Sequence, residues 1–321
     1  MEYITPNQAF REVLRKKLIG TSGHIEVRDL FKGSAAYVDT PENYFDVLIC
    51  DEAHRLKEHG HMKKKIKGEN QATQIIRSSK ISVFFIDDFQ KISKKDIGSV
   101  ELLNLEANSL GAEVHEVDLE SQYRCSGSGN YIAWLESIFN DSEDIMQLEG
   151  DFDFKIMSNP HELEEEIVYR HGGRLVAGYA WDWTKDLVNG ELANDVVIDE
   201  HNFALPWNDP NRIGWVIHTE CSEQIGCIHT VQGLEMEYVG VIIGNDLGYD
   251  EASKSLIVRR EEYKDKGAKP AKPKNGQVDP LEELVRNTYK TLMTRGMKGC
   301  YIYCCDKSLE KYLQERSNLS N

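Results

Sequence analysis

Two largely apolar runs, FDVLIC at Phe45–Cys50 and ISVFFI at Ile81–Ile86, each stop on a pair of acids, Asp51-Glu52 and Asp87-Asp88. A run without polar alternation reads as a strand covered on both faces, and a helix-sized segment separates the two. Parallel neighbours need a crossover long enough to hold a helix, so this pattern specifies a parallel sheet with helices on its faces. The chain is thereby constrained to an α/β fold whose carboxylates stand at the C-terminal edge of a sheet, where such sheets bind ligands.

The rest of the chain extends the pattern. A strand at Glu2–Thr5 leads into a helix with Phe10, Val13, Leu14 and Leu18 on one face. A further strand is expected at Glu113–Leu119, then a helix and an acidic connector over 127–151. Beyond it a strand at Phe152–Met157 precedes a helix capped at Ser158 or Asn159, with Pro160 in its first position. Further strands are expected at Leu175–Ala180, Trp215–His218, Gly226–Thr230, Val239–Ile243 and Cys300–Cys304, and Lys264–Pro280, rich in Lys, Pro and Gly, reads as a flexible loop. A length of 321 residues suits two lobes of roughly 130 to 170 residues, each able to bury a core. The expected organisation is a first lobe at 1–127, a helical connector at 128–151 and a second lobe at 152–321.

Composition excludes several classes. No stretch approaches the ~18 consecutive apolar residues of a membrane span, and the opening MEYITPNQAF lacks a basic flank followed by an apolar core, so a cytoplasmic protein is expected. Seven cysteines without a C-x-x-C pair read as reduced thiols packed as small hydrophobes. The net charge of −16 argues against a general basic coat for nucleic acid but leaves room for a local groove. Cations do cluster at Arg55–Lys67 and Arg259–Lys274, although such runs are commonly solvated loops.

The sharpest chemical signal is Asp51-Glu52-Ala53-His54. In a nucleotide-hydrolysing sheet the strand-end Asp holds Mg²⁺, usually through water, and the neighbouring Glu takes a proton from the attacking water. Gln90, just beyond the second strand, has the reach to hydrogen-bond a terminal phosphate, or it is simply a turn residue. Trp181 and Trp183 in GYAWDW offer stacking faces for unpaired bases, and their alternation also fits packing at a strand end.

DEAH after one strand, DDFQ after the next, then LESQYR (119–124), CIHTVQGLEMEYVGVIIG (227–244) and TLMTRGMKGCYIY (291–303) stand in the order of superfamily 1 helicase motifs II to VI. The phrases QYRCSGSGNYIAWL, VAGYAWDW, CIHTVQGLE, YVGVIIGNDLGYD and RNTYKTLMTRGMKG resemble the bacterial DUF2075 group, the Schlafen group 3-like DNA/RNA helicase domain, over nearly the whole chain. The resemblance implies two RecA-like lobes with mostly parallel sheets and a nucleic-acid-dependent ATPase that uses ATP and Mg²⁺ on single-stranded DNA or RNA. It implies Asp51 as the Mg²⁺ residue, Glu52 as general base, Gln90 as γ-phosphate sensor, and Arg124 and Arg295 as arginine fingers. Glu235 and Gln232 would serve the nucleotide; His229 and Thr230, with Trp181 and Trp183, would serve the strand.

One part of the pattern is missing. The phosphate loop G-x-x-x-x-G-K-S/T needs a Gly-Lys pair, and these 321 residues contain none. The sequence therefore reads either as part of a longer ATPase or as a loop-less binding module. A first sheet that lacks a central strand is expected to be covered by a partner chain, by self-association or by local rearrangement.

Overall fold

In the computed structural model, residues 1–19, 29–59, 69–119, 125–142, 146, 148, 150, 152–274 and 276–318 are described. The chain forms two compact units, Met1–Asp118 and Leu119–Asn321. Both are α/β with parallel sheets.

The first unit holds β1 (Glu2–Ile4), β2 (Phe31–Lys32), β3 (Phe45–Cys50) and β4 (Ser79–Phe84) in the order β2-β1-β3-β4. Every pairing in it is parallel. Helix α1 (Gln8–Ile19) follows β1, and α2 (Gln71–Arg77) is the crossover from β3 to β4. Asn70 starts α2 by accepting the Thr73 amide at 3.0 Å, which satisfies one of the donors a helix start leaves open. Ile4, Leu48 and Cys50 from the sheet pack on Ala72 and Ile75 of α2, all with no exposed surface. The opposite face of β4 differs from the expected two-sided burial. Ile81 and Val83 stand opposite Val47 and Ile49, yet Ile81, Val83 and Phe85 are 58%, 37% and 43% exposed. Among the described residues β4 pairs with β3 alone, so its outer edge and one face lack cover. After it comes α3 (Val100–Ser109).

In the second unit a 3₁₀ turn at Cys125–Gly127 leads into α4 (Gly129–Phe139). Its sheet, in the order β5-β13-β10-β6-β9, is also parallel throughout. The strands are β5 (Asp153–Met157), β6 (Arg174–Ala177), β9 (Gly226–Cys227), β10 (Met236–Ile243) and β13 (Gly296–Cys304). Two antiparallel pairs, β7 (Val196–Ile198) with β8 (Phe203–Leu205) and β11 (Leu247–Asp250) with β12 (Ser255–Val258), stand apart from it. The helices are α5 (Pro160–Glu164), which continues into a π turn, α6 (Ile228–Val231), α7 (Pro280–Met293) and α8 (Lys307–Asn318). Asn159, not Ser158, caps α5 by accepting the His161 amide at 2.9 Å. Leu163 and Ile167 cover Leu175, Ile242, Tyr301 and Tyr303 to make the core. No helix of the described residues is long and apolar enough to cross a membrane.

Three expected elements fall differently. Glu113–Asp118 has no regular structure and is exposed. Val114 and Val117 are three apart, so a strand would put them on opposite faces and neither face would have enough apolar surface to dock. Trp215–Ile217 forms a 3₁₀ turn rather than a strand. Gly214, at φ +80°, turns the backbone there, and the Trp215 ring lies where a side chain at Gly226 would reach, 2.2 Å from an added Cβ. The run from Gly226 is extended only to Cys227 and then enters α6.

Candidate functional site

The first unit brings its acids to one sheet edge. Cys50 and Phe84 are paired at the C-terminal ends of β3 and β4. The chain leaving β3 is stitched to both neighbours: the Asp51 amide donates to Ile4 O at 2.9 Å, and the Ala53 amide donates to Phe85 O at 2.9 Å. Between them Glu52 adopts a left-handed conformation (φ 53°, ψ 41°). A non-glycine residue in that region is a local strain held by its surroundings, and such positions concentrate at functional sites.

Asp51 accepts two hydrogen bonds, from the Tyr3 hydroxyl on Oδ2 at 2.7 Å and from the Glu52 amide on Oδ1 at 2.9 Å. Burial, with the Asp51 carboxylate beside it, pushes the Tyr3 phenol up. Glu52 is buried and its Oε2 lies 2.9 Å from His54 Nε2. The turn is braced from behind. Gly98 lies so close that a Cβ there would stand 1.9 Å from Ala53 O, the Ile97 amide donates to Leu56 O at 2.9 Å, and Lys57 pairs with Asp96. Gln90 ends a 3₁₀ turn beyond β4, buried, with its Nε2 donating to Asp87 Oδ2 at 2.8 Å. Asp51, Glu52 and Gln90 thus lie at the ends of two adjacent strands.

The donor chemistry suits a hard dication in one way only. No group of three or more His, Cys, Asp or Glu able to hold a metal exists among the described residues, and both Asp51 oxygens already accept hydrogen bonds. A carboxylate already hydrogen-bonded on both oxygens fits Mg²⁺ that keeps its water shell rather than a stripped ion. For the triphosphate the fit is incomplete, because the chain offers no Gly-Lys loop to cradle it.

In the second unit His229, Thr230, Gln232 and Glu235 lie on and just after α6, and Trp181 and Trp183 follow β6. Thr230 Oγ1 is 2.9 Å from both Asn208 Oδ1 and Cys227 O. His229 Nε2 sits 2.6 Å from Asp265 Oδ2, and Asp265 Oδ1 accepts the amides of Gly267 and Ala268. Gln232 is fully buried and Glu235 is exposed. Trp181 and Trp183 pack beside the buried Trp207, with ring centroids 6.4 and 5.8 Å away. The Trp181 indole donates to Val197 O at 2.9 Å. Arg295 is buried at the end of α7, its Nε donating to Thr291 O at 2.9 Å and its Nη2 to Thr294 Oγ1 at 3.2 Å. Arg124 lies outside the described residues.

The model of the Schlafen group 3, DNA/RNA helicase domain matches residues 1–306. The chain belongs to that family. This helicase domain is also 26% identical over 298 residues to the uncharacterized protein YPL245W of Saccharomyces cerevisiae, an alignment covering 84% of the chain. It spans 64% of the yeast protein's length.

Several residues that shape the helicase domain's sites carry no motif signal. Tyr3 and Gly98 act through contacts with Asp51 and Ala53 that only the folded chain creates. Asp265 sits in a segment whose composition reads as flexible; the Asp-x-Gly-Ala spacing, which lets a carboxylate accept the amides two and three residues on, is the one local hint. Asp246, just past β10, is buried and accepts a hydrogen bond from the Tyr289 hydroxyl. Burial pushes its carboxyl up to about 7.

Proposed function

We propose that this helicase domain binds single-stranded DNA or RNA and carries the metal-side half of a superfamily 1 ATP site. The observation behind the proposal is the placement of Asp51 and Glu52 beside Asp87–Gln90 at the C-terminal ends of adjacent parallel strands. In this reading Asp51 holds hydrated Mg²⁺, whose charge offsets that of the ATP phosphates. Glu52, oriented by His54, accepts a proton, and Gln90 contacts the terminal phosphate. Arg124 and Arg295 supply guanidinium charge, because phosphoryl transfer depends on electrostatic stabilisation. Glu235 and Gln232 serve the nucleotide; His229, Thr230, Trp181 and Trp183 serve the strand. Without a phosphate loop the 321 residues alone do not turn over ATP. A partner chain or self-association covers the open edge of β4.

A second reading, a non-catalytic nucleic-acid- or protein-binding module, is favoured by the absent Gly-Lys pair. The first reading and the nucleic-acid-binding form of the second share the single-strand binding claim, which fluorescence anisotropy tests. At physiological salt, labelled single-stranded oligonucleotides are expected to bind with a dissociation constant on the order of 10⁻⁵ M. No binding to either DNA or RNA would remove the shared claim.

A further inference from the structure

The segment following β12 carries the chain's second cation cluster, with seven cations against three anions over Arg259–Lys274, a local +4 in a chain of −16. Although it contains no regular element, it is held down at several points. The Lys264 amide donates to Tyr179 O at 2.9 Å, Tyr263 and Ala268 are buried, and the Lys269 ammonium donates to Tyr263 O at 2.8 Å. Asp265 joins the segment to α6 through His229 Nε2 at 2.6 Å while fixing its own turn through the amides of Gly267 and Ala268.

These contacts sort the cations. Arg259 pairs with Asp306, Arg260 with Asp279 and Lys264 with Glu262. Lys266, Lys272 and Lys274 are exposed. The pin at Asp265 sets this basic stretch beside an aromatic wall: Tyr179 stacks on Trp207 at 5.7 Å and lies 6.1 Å from Trp183 and 6.4 Å from His229. Lys185 stands 5.5 Å from the Trp183 ring centroid, bringing another cation to the same wall. Aromatic faces beside a basic strip are what an unpaired nucleic-acid strand requires, bases on the rings and phosphates on the cations.

Resting on the single-strand reading above, we infer that Lys264–Lys274 is the arm that holds the phosphate backbone of a single-stranded nucleic acid. Asp265 is its positioning residue, latching the arm to His229 so that Lys266 and Lys272 stand over the strand whose bases meet Trp183. The ligand recognised is the phosphodiester backbone, without regard to base sequence.

The test is anisotropy of fluorescein-labelled oligo-dT over a salt series, with the whole chain. Replacing Lys266→Gln and Lys272→Gln together is expected to weaken binding and to flatten the dependence of log affinity on log salt by about 0.7 per lysine. Trp183→Ala is expected to weaken binding and leave that slope unchanged. Asp265→Asn is expected to flatten the slope although it removes no cation, and Asp265→Glu to restore it in part. Wild-type binding with slope and affinity unaltered in the double lysine variant overturns the arm and leaves the single-strand reading standing. A wild-type chain that binds no oligo-dT overturns both.

Discussion

Gly98→Ala is expected to destabilise the Asp51–Leu56 turn by about 3 kcal/mol, because Gly98 makes the closest backbone approach of the described glycines in the first unit. The added Cβ would lie 1.9 Å from Ala53 O and 2.8 Å from the Cα of His54. Those are backbone atoms, so no rotamer change relieves the contact. The backbone itself is tied at Ala53 to Phe85 O and at Leu56 to the Ile97 amide. Either the turn moves and the Glu52 carboxylate leaves His54, or the 92–98 segment lifts and the Leu56–Ile97 bond breaks. Amide hydrogen exchange at 51–56 reads the outcome: protection should fall on the order of 100-fold, while β10 and β13 in the second unit keep theirs. Unchanged protection would show that the close approach of Gly98 does not brace the acid pair.

Trp207→Ala should cost the second unit about 3 to 5 kcal/mol, the range for truncating a buried aromatic ring. Trp207 is 1% exposed and is the ring against which Tyr179, Trp181 and Trp183 all pack. Its indole also donates to Asp182 O at 3.1 Å, a bond lost with the ring. All five tryptophans, Trp134, Trp181, Trp183, Trp207 and Trp215, fall in the second unit, so tryptophan fluorescence during denaturation follows that unit alone. Trp183→Ala provides the contrast. Half-buried at the rim, it should cost far less stability but about 1 to 3 kcal/mol of single-strand binding if bases stack there. Equal stability losses in the two variants would make Trp183 a packing residue only.

How much of this was legible in the sequence depends on how local the cause is. The longer parallel strands show as apolar runs because burial and crossover length are written into neighbouring residues, and β3 begins and ends where FDVLIC does; the two-residue β2, FK, carries no such run and is not expected from the sequence. The open face of β4 is not written there, since Ile81 and Val83 would look the same whether or not a helix covered them. Glu113–Leu119 fails as a strand because its valines are out of step. Within the candidate site, Asp51, Glu52 and Gln90 are legible as strand-end residues. The Tyr3 hydroxyl on Asp51 and the Gly98 backstop come from residues 48 and 47 positions away. Asp265 is the clearest case of composition misleading: lysine, proline and glycine suggest a loose loop, while one carboxylate meeting a histidine 36 residues earlier pins it.

Under the proposed function, the acids of a helicase site stand ready at a sheet edge in a chain whose 321 residues hold no Gly-Lys loop to cradle a triphosphate. Phosphate release from ATP, with Mg²⁺ and single-stranded oligonucleotide present, tests it most directly. The 321-residue chain is expected to release none above the level of its Glu52→Gln variant. Release by the unaltered chain that Glu52→Gln abolishes would contradict the claim, because it would require a phosphate cradle built from residues assigned no such role.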